Sequence, residues 1–472
     1  MDLSGFPISQ LFYSRLLLFW PKSFTYYEGG STALSLNLTP DPADTKCPSG
    51  LDDIHVILKT GTTEPVARLL VHFNTTFRCV RNYTLFSDYE DEISGVPIHD
   101  VLRGVDERIK STHPDFALYT HLREAGKAAL STWHISDDPS TPSGKPNNPG
   151  WILDKWKFLP MMHETLNARP DAKWYVFMEA DTYILWANLL AWLAQFNADD
   201  PFYLGNQMQI GDVIFAHGGS GFVLSRPALR RIVAYHSARV AEWDEYTGRH
   251  WAGDCVLGKA LHDAGVDLLW SWPMMQGSTP WAFDHLSAAF GHTPWCYPPV
   301  AYHHMTPEGI REMWEFEQDW SRRVGCTSQS GNFGVAANGV QGGGSVGLYR
   351  DLFQKLMQPR FSRSEQDYWD NESADVIEGI GGVADCEEQC ALDAECLQFS
   401  YGPGLCRTSS KARRGSRKPG IISGWMADRI NQTVAQLGAC NRMTGFVRKL
   451  ILPSFPLYVL RLLTFSVGPT GI

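Results

Sequence analysis

The chain has 472 residues, of which 44% are hydrophobic, 12% aromatic and 19% charged; this composition excludes a disordered protein and suffices for two or three packed domains. Lys and Arg number 41 against 51 Asp and Glu, a net charge of −10 with a pI near 5.8. Nothing here supplies the basic footprint that a phosphate backbone needs, so nucleic acid is excluded as a partner.

Residues 1–50 are rich in Ser, Thr, Pro and Gly without sustained periodicity and read as an N-terminal stem or tether. Their apolar run LFYSRLLLFW is about half a membrane span and is broken by Arg15, so neither a signal peptide nor an anchor is expected there. From residue 51 apolar, β-prone runs alternate with helical patterns: DDIHVILKTG, RNYTLFSDYE, a helical stretch from Trp151 to Asn167, then KWYVFMEADTYI. That alternation predicts an α/β domain over 51–320 with a mostly parallel sheet flanked by helices. Ligands of such sheets sit at the carboxyl ends of strands, which directs attention to Lys59, Thr60, Asp88, Glu179 and Asp181.

In KWYVFMEADTYI a buried strand ends abruptly in Glu179-Ala180-Asp181. Two acids at i and i+2 share one side, a geometry that can hold a divalent cation against a diphosphate; a solvated strand end is the plain structural alternative. Downstream, VIFAHGGSGFVLSRPAL carries Gly218, Gly219 and Gly221 between apolar runs, either a tight turn or a place where backbone approaches a ligand closely. It is no nucleophile elbow, because Phe222 stands two residues after Ser220.

In HWAGDCVLGKALHDAG, Asp254 precedes a helical pattern and is expected at the helix N-cap. A carboxylate there can also act as general base towards a hydroxyl. CYPPVAYHHMTPEG then brings His303 and His304 together, one of them a candidate metal ligand. Walker A and His-Glu-x-x-His patterns are absent and no Gly-x-Gly-x-x-Gly follows the first strand, which sets aside ATP hydrolysis, zinc proteolysis and dinucleotide redox chemistry.

Residues 321–365 read as a glycine-rich linker around SGNFGVAANGVQGGGSVG. Over 366–440 follow Cys386, Cys390, Cys396, Cys406 and Cys440, whose spacing lacks Cys-x-x-Cys pairs and interleaved His and so favours disulfides over zinc. Five sequons, at Asn37, Asn74, Asn82, Asn371 and Asn431, add support for a secretory route. The apolar tail 441–472 is long enough to span a membrane but contains Arg461, Pro453 and Pro456, so a surface-docked or unstructured tail is expected ahead of an anchor.

Seven motifs, VILKTG, LFSDYEDE, LDKWKFLP, FMEADTYI, HGGSGFVLS, GDCVLG and AYHHM, follow one another in an order that resembles the Fringe-like β1,3-glycosyltransferases of glycosyltransferase family 31, in their fungal branch. The resemblance covers roughly residues 50–320. It implies a GT-A fold, a UDP-sugar donor bound through Mn²⁺, and inversion by direct attack of an acceptor hydroxyl. On that reading Asp181 and His303 are the metal ligands, with His304 as fallback, and Glu179 stands where the family usually has Asp. Asp254 is the candidate base, with Gly253 where the family often shows another acid. Lys59, Thr60, Asp88, Lys157, Glu179, Asp181, Gly218 and Gly219 would hold the nucleotide-sugar.

The cluster ADCEEQCALDAECLQFSYGPGLCRTSS resembles a PAN/Apple module, a small disulfide-rich α+β unit that binds protein or carbohydrate. Trp251, Trp270, Trp272 and Trp281 can stack on sugar faces or serve the core. The resemblance further implies a glycan or glycoprotein acceptor and a Golgi or otherwise secretory location with possible membrane association, secretion being the alternative. The competing readings are a secreted, non-catalytic carbohydrate-binding or adhesion protein acting through the PAN-like module, and a glycosidase with two carboxylates about 5–10 Å apart.

Overall fold

A computed structural model describes residues 45–130, 148–327, 346–362 and 365–440, without the side chains of 324–327. The first 44 residues of the expected stem, residues 328–345 of the expected linker and the whole apolar tail lie outside the described residues.

Twelve strands belong to the first part of the chain: β1 Ile54–Lys59, β2 Tyr83–Ser87, β3 Asp91–Ile93, β4 Val96–Asp100, β5 Trp174–Glu179, β6 Tyr183–Ile184, β7 Tyr203–Gly205, β8 Gln207–Ile210, β9 Val213–Ala216, β10 Phe222–Ser225, β11 Leu268–Trp270 and β12 Ala301–Tyr302. Eight form one sheet in the order β11-β7-β10-β5-β1-β2-β4-β3. Within it β1 pairs in parallel with both β2 and β5, whereas β10 runs antiparallel to β5 and β7. This is the mostly parallel, helix-flanked sheet expected from the sequence, consistent with a GT-A-like fold.

Both faces of the sheet are covered, which is why β1 and β5 read as continuous apolar runs rather than alternating ones. Successive side chains still leave on opposite sides. Ile57, Tyr175 and Phe177 join one buried cluster, with α3 (Phe158–Ala168), α4 (Arg226–Ser237) and α5 (Gly253–Asp263) packed on it. Val56, Leu58, Val176 and Met178 join the other, which includes Leu69 of α1 (Val66–Asn74). Before α3 comes α2 (Pro149–Asp154), started by Asn148, whose side chain accepts from the backbone N–H of Gly150 and Trp151, and by a proline at the first helical position.

Beyond the sheet, α6 (Pro307–Thr327) runs through residue 320, so the expected domain boundary falls inside a helix. Residues Tyr349–Phe361 are helical too, with Tyr349, Leu352, Phe353 and Phe361 buried. The segment expected as a flexible linker therefore contributes core at its C-terminal end, where its apolar residues find partners that its glycines gave no hint of.

The C-terminal part is a five-stranded antiparallel sheet of β13 (Glu365–Asp370), β14 (Asp375–Ile377), β15 (Gln398–Tyr401), β16 (Cys406–Ser409) and β17 (Ser416–Trp425), with helices α7 (Val383–Leu392) and α8 (Ala427–Leu437). Disulfides join Cys386 to Cys406 and Cys390 to Cys396, so both cysteines after α7 bond back to it. Cys47 pairs with Cys79, and Cys296 with Cys440. Cys255 is a buried free thiol, pushed by burial up to about 12 and so chemically quiet.

The last disulfide stitches the two parts together, and Arg414 strengthens the seam. Its guanidinium grips both oxygens of Glu312 on α6 at 2.5 and 2.9 Å and lies 4.0 Å from the centroid of the Trp281 ring. A single buried cluster includes Tyr183, Trp295, Tyr302 and Ile310 from one part with Ala412, Trp425 and Ile430 from the other. The sequon at Asn371 is closed to modification in the folded chain: the residue is fully buried, and its Nδ2 donates to the carbonyls of Phe399 and Gly424.

Candidate active site

The carboxyl ends of β1, β2 and β5 lie side by side, and a ladder of alternating charges crosses them. Register places Lys59 of β1 opposite Glu179 of β5, so their side chains share a face and pair at 3.0 Å. Lys59 also pairs with Asp154 at 2.5 Å, and Asp154 with Lys157 at 3.5 Å. Lys157 continues to Asp88 at 3.2 Å and donates to the Thr60 carbonyl at 2.8 Å. Burial would lower Lys59, but Asp154 and Glu179 outweigh it and hold the ammonium above its ordinary value.

Asp88 and Lys157, expected against the nucleotide, bond to the Thr60–Thr62 loop and to each other. Both are buried, at 0% and 1% exposure. Asp88 accepts from the Thr62 N–H at 2.9 Å and from the Ser87 hydroxyl at 3.2 Å. The two residues lie behind the Thr60–Thr62 loop and set its shape, while Thr60, Thr62, Glu64, Ser87, Asp91 and Lys127 line the cleft in front. Glu179, also expected at the nucleotide-sugar, has one oxygen on Lys59.

Asp181 is positioned by a crossing of two short strands. Residues Tyr183 and Ile184 pair with Tyr302 and Ala301, and the Met305 N–H donates to the Asp181 carbonyl at 2.8 Å. His303 and His304, directly after β12, are thereby brought to the Asp181 side chain. His303 Nε2 lies 3.2 Å from Asp181 Oδ1, and His304 Nδ1 lies 4.0 Å from Oδ2. One ligand atom from each of the three residues falls within 4.8 Å of the others. His304 reaches this place with a left-handed backbone, φ 58°, a conformation that costs about 1–3 kcal/mol for a residue other than glycine.

The back of Asp181 is held by α1. Arg68 Nη1 pairs with Asp181 Oδ2 at 3.0 Å, and one turn later His72 Nε2 meets the Ala180 carbonyl at 2.9 Å. Burial alone would raise the Asp181 carboxyl; His303, Arg68 and His304 outweigh it and keep it ionised well below the usual range. Burial would likewise lower His303, and Asp181 overrides it. Glu64, one turn before Arg68, is pushed up to about 7 by burial and by the Asp181 charge, against a hydrogen bond from the Thr60 hydroxyl.

Two glycines join this cluster to Asp254. A Cβ on Gly219 would lie 2.3 Å from the His303 ring, so only glycine lets the turn pass there. The Gly219 carbonyl accepts from the Thr182 hydroxyl at 2.7 Å, tying the turn to Asp181's neighbour. Next to it, the Gly218 N–H donates to Asp254 Oδ2 at 2.9 Å. Asp254 is not the N-cap expected from the sequence: α5 starts at Gly253 after Ala252. Its carboxylate reaches across to Gly218 and also accepts from the Cys255 N–H, and burial pushes it up to about 6 despite both bonds.

The sequence thus pointed to Asp181, His303, Gly218, Gly219 and Asp254, and the structure brings them into one continuous site. It missed Arg68, Asp154 and Phe158, whose ring lies 4.6 Å from Lys59 Nζ and which also meets Gly218 and Gly253. The motif LDKWKFLP contained two of these three; its charged i, i+3 pair Asp154 and Lys157 was the available signal.

An aspartate and two histidines suit a borderline divalent cation, and Asp181 Oδ1, though buried, receives no hydrogen bond. The donor set therefore fits a metal ion.

Comparison with known proteins agrees with this geometry. Residues 49–274 match the family model described as Fringe-like, a little under half of the chain, which takes in the sheet and Asp254 and stops before His303. A relative from Xenopus laevis, glycoprotein-N-acetylgalactosamine 3-beta-galactosyltransferase 1, is 31% identical over 133 residues, 27% of this chain and 36% of that protein. The matched stretch thus spans little more than a third of the relative's length.

Proposed function

We propose that this chain is a metal-dependent inverting glycosyltransferase of the Fringe-like type. It would move a hexosyl group, galactose or N-acetylglucosamine, from a UDP-sugar to a hydroxyl of a glycan or glycoprotein, in β1,3 linkage. The observation that carries the reading is the Gly218-Gly219 turn, which touches the Asp254 base on one side and the Asp181–His303 pair on the other. The Fringe-like match and the galactosyltransferase relative support the same reaction class.

Asp181 and His303 would hold Mn²⁺, with His304 beside them, and that ion would offset the negative charge growing on the leaving diphosphate. Arg68 occupies the far oxygen of Asp181, fixing the carboxylate's orientation. Asp254, oriented by the Gly218 N–H, takes the acceptor proton as the new C–O bond forms at the anomeric carbon and the bond to UDP breaks. A pKa near 6 leaves Asp254 ionised yet basic enough at neutral pH. The ladder from Glu179 to Asp88 stiffens the Thr60–Thr62 loop against which the nucleotide would lie.

Four disulfides suit an oxidising compartment, so a secretory and specifically Golgi location is proposed, with secretion as the alternative. No helix among the described residues is long and apolar enough to cross a membrane. The C-terminal α+β part is proposed as a PAN/Apple-like module that helps to hold the acceptor. The test is UDP release from a panel of UDP-sugars with Mn²⁺ or EDTA, in wild type, Asp181→Ala and Asp254→Asn. Metal-dependent turnover lost in both variants, with donor binding kept only in Asp254→Asn, supports the reading. If no donor binds in the presence of Mn²⁺, the reading fails.

A further inference from the structure

Next to the base the chain carries an apolar feature that neither the metal cluster nor the charge ladder uses. Trp251 is 63% exposed, more than any other aromatic side chain among the described residues. Trp272 and Trp281, by contrast, are buried at 6% and 8%, and Trp270 is covered edge-on by Phe290 at 4.9 Å. Of the four tryptophans considered from sequence, Trp251 is the most exposed, Trp270 being half-buried. An indole left so exposed is unfavourable in water unless something covers it.

Trp251 does not stand alone. Its ring lies nearly parallel to that of Trp151, with centroids 6.4 Å apart and 21° between the planes, an offset stack. A close backbone approach fixes the pair. A Cβ on Gly253 would lie 2.5 Å from Lys155 Cα and 2.6 Å from the Lys155 carbonyl oxygen, so only glycine allows the start of α5 to touch the end of α2. Trp151 stands one turn before Lys155 and Trp251 two residues before Gly253, and this contact seats one ring against the other. Gly253 thus makes the close contact beside which the two aromatic rings stack.

Their place narrows what can cover them. Asp254 follows Trp251 by three residues and faces the Gly218 turn. Asp154, three residues after Trp151, pairs with Lys59 at the sheet end. Each of the two rings thus stands three residues before a carboxylate of the site. A pyranose combines an apolar C–H face with a rim of hydroxyls, the complement of a flat, uncharged aromatic surface beside a carboxylate.

We infer that Trp251 and Trp151 form the stacking platform on which a sugar ring of the acceptor lies while its hydroxyl is presented to Asp254. The inference rests on the glycosyl-transfer reading and names the acceptor as a saccharide. Trp251 is on this account a positioning and specificity residue, with no part in holding UDP or metal.

The test uses the full chain with Mn²⁺. UDP affinity is measured by calorimetry, and retention on a panel of immobilised neutral glycans is measured in the presence of UDP. For the retained glycan, KM and kcat are then compared in wild type, Trp251→Ala, Trp251→Tyr and Trp151→Ala. Trp251→Ala is expected to keep UDP affinity and donor hydrolysis by water while raising the acceptor KM about tenfold or more, with Trp251→Tyr recovering most of the loss. Trp151→Ala is expected to give a smaller rise. An acceptor KM unchanged in folded Trp251→Ala and Trp251→Tyr overturns the inference, as does wild type that binds UDP but retains no glycan. Vesicle adsorption that falls in Trp251→Ala at unchanged acceptor KM would assign the rings to a lipid surface and overturn it too. Wild type that fails to bind UDP sinks the transferase reading instead, a separate outcome.

Discussion

Replacing Asp254 by Asn removes a charge that the fold resists, so it should alter stability and turnover through the same group. Burial raises the carboxyl to about 6 from its ordinary value of 3.8. Between those values the native state holds a proton that the unfolded chain has released, so wild-type stability falls as pH rises through that window. The difference of about 2 pK units corresponds to about 3 kcal/mol as an upper bound. The Asn variant lacks this term but forfeits an acceptor, because Gly218 and Cys255 each donate to one carboxylate oxygen and an amide has only one. Its absolute stability therefore combines two opposing effects, while its pH dependence isolates one. Urea unfolding at pH 4 and pH 8 should show the variant gaining on wild type by up to about 3 kcal/mol towards the alkaline side. Turnover should fall by about 10²–10⁴ at pH 7.5, and the wild-type rate should decline below a pH near 6 as the base is protonated. A stability difference that does not change with pH would refute the raised pKa, and near-normal turnover in the variant would refute the role of base.

Three further outcomes follow from the contacts described. Asp181→Ala leaves Arg68 and His303 facing each other without their shared anion and should cost about 3–5 kcal/mol in urea unfolding; a fully stable variant would contradict the pairing. Arg414→Met removes the grip on Glu312 and the contact with Trp281 and should lower the melting temperature by several degrees. Two separate transitions in wild-type calorimetry, only the later one unaffected by the change, would instead mean that the two parts fold independently. Asn371, with its Nδ2 on two carbonyls, should carry no glycan when its tryptic peptide is examined by mass spectrometry, and Asn371→Ala should cost about 1–3 kcal/mol. An occupied Asn371 would show that this sequon is modified before the module closes.

What could be read from the sequence was whatever local pattern determines. The strands that carry Lys59 and Glu179 are buried on both faces, so their apolar runs announced them and their polar ends marked the site. Asp181, Asp254 and His303 stood out because each follows or opens a regular element. Arg68 did not, since a single arginine in an amphipathic helix looks like any solvated charge until residue 181, 113 positions away, is seen beside it. Asp88 and Lys157 were named, but their bonds to the Thr60–Thr62 loop were not legible, since a strand-end position does not tell which backbone groups a side chain reaches. The fully buried Asn371 likewise carried a surface signature that only its two carbonyl partners could overrule.

The C-terminal part bears on the site through shared packing. Tyr183 and Tyr302 are register partners in the β6–β12 crossing that brings His303 to Asp181, and both belong to the cluster that includes Ala412, Trp425 and Ile430. Tyr183 also donates its hydroxyl to Glu317 on α6, the helix whose Glu312 grips Arg414. Interiors this densely packed transmit strain and do not absorb it. Loosening the C-terminal seam should therefore first disturb the relative placement of Asp181 and His303, while Asp254, held from the α5 side by Gly218, keeps its setting. A glycine-rich connection suggested a module on a tether; the shared core makes it a brace for the Asp181–His303 half of the site.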